Sequence, residues 1–112
     1  MSDQVTLFTQ SDFSRTLQNN GSGTDHGWGG HQILVGGAVN PWVHGGFTDL
    51  SPDSQSFTPD NRGRVIPNIS NDQLLAPLLA WMGLSETDIH RVLPNLKYWQ
   101  GEGGSLELMK LA

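Results

Sequence analysis

The stretch TDHGWGGH, residues 24–31, sets Asp25, His26 and His31 inside seven residues, separated almost wholly by glycine. One carboxylate and two imidazoles form a mixed oxygen and nitrogen donor set. It suits zinc or manganese better than calcium or magnesium, which prefer all-oxygen surroundings. Asp25 and His26 are neighbours, so they converge on one ion only if the backbone between them turns; extended neighbours project to opposite faces. Gly27, Gly29 and Gly30 make unusual turns cheap and remove side chains that would crowd an ion. The same glycines argue against a helix, so a metal site here is expected on a loop. The competing expectation is an ordinary turn in which Asp25 accepts backbone hydrogen bonds and both histidines lie on the surface.

Other residues widen the candidate set. Arg15 follows Asp12 by three positions and could orient an anionic substrate group through its fork of donors, or simply pair with Asp12. His44, in VHGG, is a possible further ligand or a solvated loop histidine, and His90 falls in a helical segment as a structural residue. Trp28 and Trp42 stand in glycine-rich loops, where an indole either stacks on a sugar or base or covers a small core. Trp81 fits a helix stripe, and Trp99 is expected to cap the helical hairpin. No G-x-S-x-G nucleophile motif occurs, and no phosphate-cradling glycine loop ends in Lys-Ser or Lys-Thr.

The elements that must hold these residues are uneven in strength. VTLFT, residues 5–9, reads as a strand that delivers the polar QSD to its C-terminal end, and QILV, residues 32–35, reads as a second strand. AV, residues 38–39, is a possible extension of it. NNGSG, residues 19–23, is loop chemistry, as is the Pro- and Gly-broken segment 40–60. GRVIP, residues 63–67, predicts a brief edge strand, because Pro67 cannot donate to a ladder. SNDQ, residues 70–73, is a capping-box pattern and starts a helix whose apolar stripe runs through Leu74, Leu75, Leu78, Leu79, Trp81 and Met82. Pro77 lies inside that helix, and Gly83 suits the left-handed position past its end. SETD, residues 85–88, starts a second helix that ends near Pro94, completing a helical hairpin. The tail, with Leu106, Leu108, Met109 and Leu111, is expected as a last strand or an ordered end.

At 112 residues and 36% hydrophobic content the chain fits a single domain, 1–112, burying roughly 60 to 70% of its unfolded surface. Six basic and eleven acidic residues give a net charge of −5 with no basic run, which argues against nucleic acid as a partner. Without cysteine, any transition-metal site must use His, Asp, Glu and backbone oxygen. No apolar run reaches the roughly 20 residues of a membrane-spanning helix, so no membrane insertion is expected.

Taken in order, VTLFTQSDFSRT, NNGSGT, DHGWGGHQILVGGAV, GRVIPNISNDQLLAPLLAWMG and LPNL resemble the C-terminal part of a bacterial family, the domain-of-unknown-function family 1501, which is similar to the alkaline phosphatase and sulfatase superfamily. The resemblance implies an α/β fold, a partial alkaline-phosphatase-like sandwich with few strands, a glycine-rich loop region and the C-terminal helical hairpin. It implies a divalent metal cofactor held by Asp25 and His26, with His31 as a further ligand, and it places Asp12 and Arg15 in the family motif toward an anionic ester substrate. The nucleophile of such hydrolases belongs to an earlier part of their chains. The resemblance also implies an exported or periplasmic location. A sheet cut from a larger sandwich exposes an edge and an apolar face, so a homo-oligomer is expected.

Overall fold

The computed structural model describes residues 1–51, 53–99 and 106–110. After a 3-10 turn over Ser2–Gln4 come four short strands, β1 (Thr6–Phe8), β2 (Ser14–Asn19), β3 (Thr24–Gly27) and β4 (Leu34–Gly36). Two helices follow, α1 (Asn71–Trp81) and α2 (Glu86–Val92), with a final 3-10 turn over Leu96–Tyr98. The strands make two separate two-stranded sheets, β1 with β4 and β2 with β3. The expected sandwich is therefore not what the described residues form. The architecture is mixed, with two small sheets and a helical pair. Among the described residues no helix is long and apolar enough to cross a membrane.

The chain divides into two compact units. The first gathers Met1–Thr6, Val35–Gly45 and Ile69–Ala112. Its helices begin where local chemistry dictates. Ser70 Oγ accepts from the Gln73 backbone, and the Gln73 side chain accepts from the Ser70 backbone, so two donors left over at a helix start are satisfied reciprocally. Pro77 stands inside α1, and the helix gives way at Gly83, whose φ of +101° most side chains would resist. Ser85 caps α2 by accepting from Asp88, and Leu93 closes it just ahead of Pro94. Ile89, Leu93 and Leu96 form the core between the helical elements, with Leu75, Ala76, Leu79 and Leu84 packed on them. The Gln73 amide then ties α1 to the Trp99 carbonyl at 3.1 Å. Among its described residues the tail contributes one isolated bridge, Val39 to Met109, while Leu108 is only 3% exposed. Leu111, expected in that last strand, lies outside the described residues.

The second unit comprises Leu7–Leu34 and Gly46–Asn68. Its frame is the antiparallel β2–β3 hairpin, paired Ser14 to Gly27, Arg15 to His26 and Asn19 to Thr24, with a shift in register between Arg15 and Asn19. Neither strand is an apolar run. They are extended because each satisfies the other's backbone, and because the one buried side chain, Thr16, donates to the Gln18 carbonyl and accepts from the Asp25 N–H. The segment 56–66 folds back on itself through Thr58 N to Arg64 O, Ile66 N to Ser56 O and the Phe57 to Val65 bridge. It is a turn with one bridge rather than the expected edge strand. Leu17 N donates to Gly63 O and Gly29 N to Val65 O, which lays this turn along the hairpin.

Candidate functional site

The glycine-flanked pair sits on a strand and not on a loop. Asp25 and His26 are the central residues of β3, whose extended backbone sends consecutive side chains to opposite faces. Extension won over the turn that three nearby glycines permit because β2 supplies a pairing partner for residues 24–27. The Arg15 guanidinium also donates to the Thr24 carbonyl at 2.8 Å.

Each candidate ligand has its own surroundings. Asp25 Oδ1 accepts from the Asn20 amide at 2.7 Å, and Oδ2 forms an ion pair with Arg62 at 2.5 Å. The hydrogen bond from Asn20, the bond from Arg62 and the positive charges of Arg62 and Arg64 hold the Asp25 carboxyl below its ordinary 3.8, against a smaller opposing effect of desolvation. His26 stacks on Phe13 with ring centroids 3.7 Å apart and planes 16° from parallel. His31 lies elsewhere in the unit, where its Nε2 accepts from the Thr48 backbone at 3.4 Å, with the Thr48 hydroxyl at 3.3 Å and the Phe47 ring tilted against it. The structure therefore gives Asp25, His26 and His31 three different sets of partners and does not bring them together. Among the described residues no group of three or more His, Asp or Glu side chains is arranged to hold a metal ion. The residues present offer at most part of a donor set.

Asp12 and Arg15 are not paired with each other among the described residues. Arg15 is occupied by the Thr24 carbonyl, and its guanidinium lies 5.1 Å from the centre of the Phe13 ring. Asp12 is exposed. His44, in the first unit, bonds through Nε2 to the Asn40 carbonyl at 3.2 Å. Trp28 and Trp42 are both exposed, so neither covers a core.

Sequence reasoning missed Arg62, Asn20 and Phe13, the residues that hold Asp25 and His26. Arg62 is 37 positions from Asp25 and reaches it through the 56–66 turn. That turn is braced by Asp60, which accepts from Thr58, from the Arg62 backbone and from Arg64. The cluster Thr-Pro-Asp-Asn-Arg-Gly announces a turn at residues 58–63, but nothing in its spacing names the carboxylate it will meet.

The Asp25 environment carries a prediction with a definite sign. A carboxylate whose folded value lies below its unfolded one adds stability above the unfolded value and loses it as pH falls through the folded value. Thermal melts of the native protein should therefore exceed those of Asp25→Asn at neutral pH. The gap should narrow once pH drops below the ordinary carboxylate range near 3.8. A gap that is constant from pH 7 to pH 3 would show that Arg62 and Asn20 do not stabilise the ionised form.

A mixed α/β chain whose hairpin carries the Thr-Asp-His-Gly run is the kind of protein these features define. By sequence it belongs to the DUF1501 family of proteins of unknown function, whose model matches residues 1–90. No curated protein and no solved structure matches the chain significantly.

Proposed function

We propose that the chain is a metal-binding segment of a phosphatase- or sulfatase-like metallohydrolase, in which Asp25 is a divalent-metal ligand and His26 the adjacent donor, with zinc or manganese as the metal. The observation that supports this reading most is the state of the Asp25 carboxylate. It is oriented by Asn20 and Arg62, is kept ionised, and remains one-third exposed at its side chain. A carboxylate has about four acceptor positions, and these two bonds use half of them. Outer-shell partners of this type are what fix a metal-ligating side chain in place. His26 joins the same ion only by leaving the Phe13 ring, and His31 only by leaving Thr48. The reading accordingly assigns the segment an incomplete donor set and no nucleophile of its own, with Asp12 and Arg15 on the side of an anionic ester substrate.

The test is titration of the apo protein with zinc and with manganese by calorimetry, for the native chain and for Asp25→Asn and His26→Ala. The expected result is saturable binding that Asp25→Asn abolishes and His26→Ala weakens. Absence of binding in the native chain, or identical binding in all three proteins, removes the metal.

A second reading is a non-catalytic binding or assembly module, in which exposed aromatics meet a partner, another copy of this chain included. The exposed rings of Trp42 and Phe47, each about four-fifths accessible, favour it. Clear turnover of generic phosphate or sulfate esters with added zinc, manganese or calcium excludes this alternative. Light scattering that finds only monomer at high concentration removes the oligomer.

A further inference from the structure

The first unit holds an open depression of about 410 Å³ lined by Asn40, Pro41, Trp42, His44, Leu106 and Glu107. Its size falls in the ordinary range for small-molecule sites. Its chemistry is one-sided. Pro41 has no N–H to give. The Asn40 side-chain amide is spent on the Glu107 carbonyl at 3.1 Å, and the Asn40 N–H is spent on the Leu108 carbonyl at 2.8 Å. His44 Nε2 faces the Asn40 carbonyl at 3.2 Å, and since a carbonyl only accepts, the ring must donate there. In the neutral imidazole that leaves Nδ1 as a bare acceptor. Glu107 contributes a carboxylate that no ion pair among the described residues reaches. Trp42 is 80% exposed at the rim, so its indole face is open to a ligand.

The lining thus offers an aromatic face, acceptors and negative charge, and the Asn40 N–H and side-chain amide are already engaged. An anion meets the Glu107 carboxylate and finds no cation among the lining side chains. A neutral sugar could stack on the indole but would gain nothing from the Glu107 charge. A small organic cation satisfies everything at once, because its charge is drawn to the indole face and to the carboxylate, and any N–H groups it carries meet the acceptors. From these observations we infer that the depression formed by Trp42, His44 and Glu107 is a binding site for a small organic ammonium ion. The site involves neither Asp25 nor His26, so it stands or falls independently of the metal reading.

The test follows the Trp42 indole N–H by NMR, assigned with Trp42→Phe, while the full chain is titrated at constant ionic strength with tetramethylammonium, butylammonium, methyl glucoside and acetate. Saturable shifts are expected with the two ammonium ions and not with glucoside or acetate. Glu107→Gln, which keeps the shape and removes the charge, should weaken the ammonium affinity by roughly tenfold, and Trp42→Ala, followed on neighbouring backbone amides, by at least as much. Unchanged backbone spectra away from residues 40–44 and 106–107 confirm that both variants remain folded. Absence of saturation with either ammonium ion, equal affinity in Glu107→Gln, or a preference for glucoside or acetate overturns the assignment.

Discussion

Gly63→Ala is expected to destabilise the hairpin unit by about 2 to 5 kcal/mol, the combined penalty of left-handed backbone in an L residue and of overpacking. Gly63 has φ of +71°, and a Cβ there would stand 2.9 Å from the Cβ of Leu17 and 3.1 Å from its backbone nitrogen. Leu17 N donates to Gly63 O at this same point, so the strand cannot retreat without breaking the bond that docks the 56–66 turn onto β2. That turn is what carries Arg62 to Asp25. The substitution should consequently do more than lower the midpoint of denaturant unfolding. The pH-dependent part of the stability, which Asn20 and Arg62 create, should shrink with it. A midpoint within experimental error of the native one would mean that turn and hairpin are not joined at Gly63.

Leu96→Ala should cost about 2 to 5 kcal/mol, the usual range for truncating a buried leucine and leaving its space behind. Leu96 is 6% exposed and completes the small cluster with Ile89 and Leu93, on which Leu75, Ala76, Leu79 and Leu84 rest. A loss of that size is a large share of the 5 to 15 kcal/mol that typically separates folded from unfolded states. The core has few members, and among the described residues no large side chain is fully enclosed, which places the expected loss toward the lower end of that range. Urea unfolding followed by far-ultraviolet circular dichroism measures it. Val92→Ala is the control: this residue is on α2 but exposed, and its truncation should move the curve by less than about 0.5 kcal/mol. Equal losses in the two variants would place the core elsewhere.

What could be read from the sequence was what depends on near neighbours. The helices were legible because Ser70 and Gln73 cap one another three positions apart, and Ser85 accepts from the Asp88 N–H at the same spacing at the start of α2. Gly83 was legible as a stop for a similarly local reason. VTLFT and QILV were recognisable as strands, although their observed extents, Thr6–Phe8 and Leu34–Gly36, are shorter or displaced. The β2 strand was not legible. Its sequence, SRTLQN, buries only Thr16 and exposes Leu17, so it lacks the apolar alternation that reveals a half-buried strand. Missing β2 also hid β3, because Thr-Asp-His-Gly becomes extended only when a partner strand completes its backbone bonds. The candidate site suffered most from that omission. A bend would aim Asp25 and His26 at one point, whereas a strand separates them, and the choice between the two lay in residues 14–19 and not in the glycines. The contacts that now define Asp25 come from Asn20 across the hairpin and from Arg62 in a distant turn. Neither has a spacing rule.

The interleaving of the two units fixes an order of events during synthesis. All of Leu7–Leu34 and Gly46–Asn68 leaves the ribosome before the helices do, so the hairpin and its bracing turn can be complete while translation continues. The helical unit cannot close until residues 108–110 have been made, because the carbonyl of Ala38 waits for the N–H of Lys110 and Asn40 waits for Leu108. The nascent polypeptide must therefore keep residues 35–45 open until Leu108 and Lys110 have been translated. An interruption before residue 108 would leave a finished hairpin unit beside an unclosed helical one, with Ala38 and Asn40 still lacking their backbone bonds.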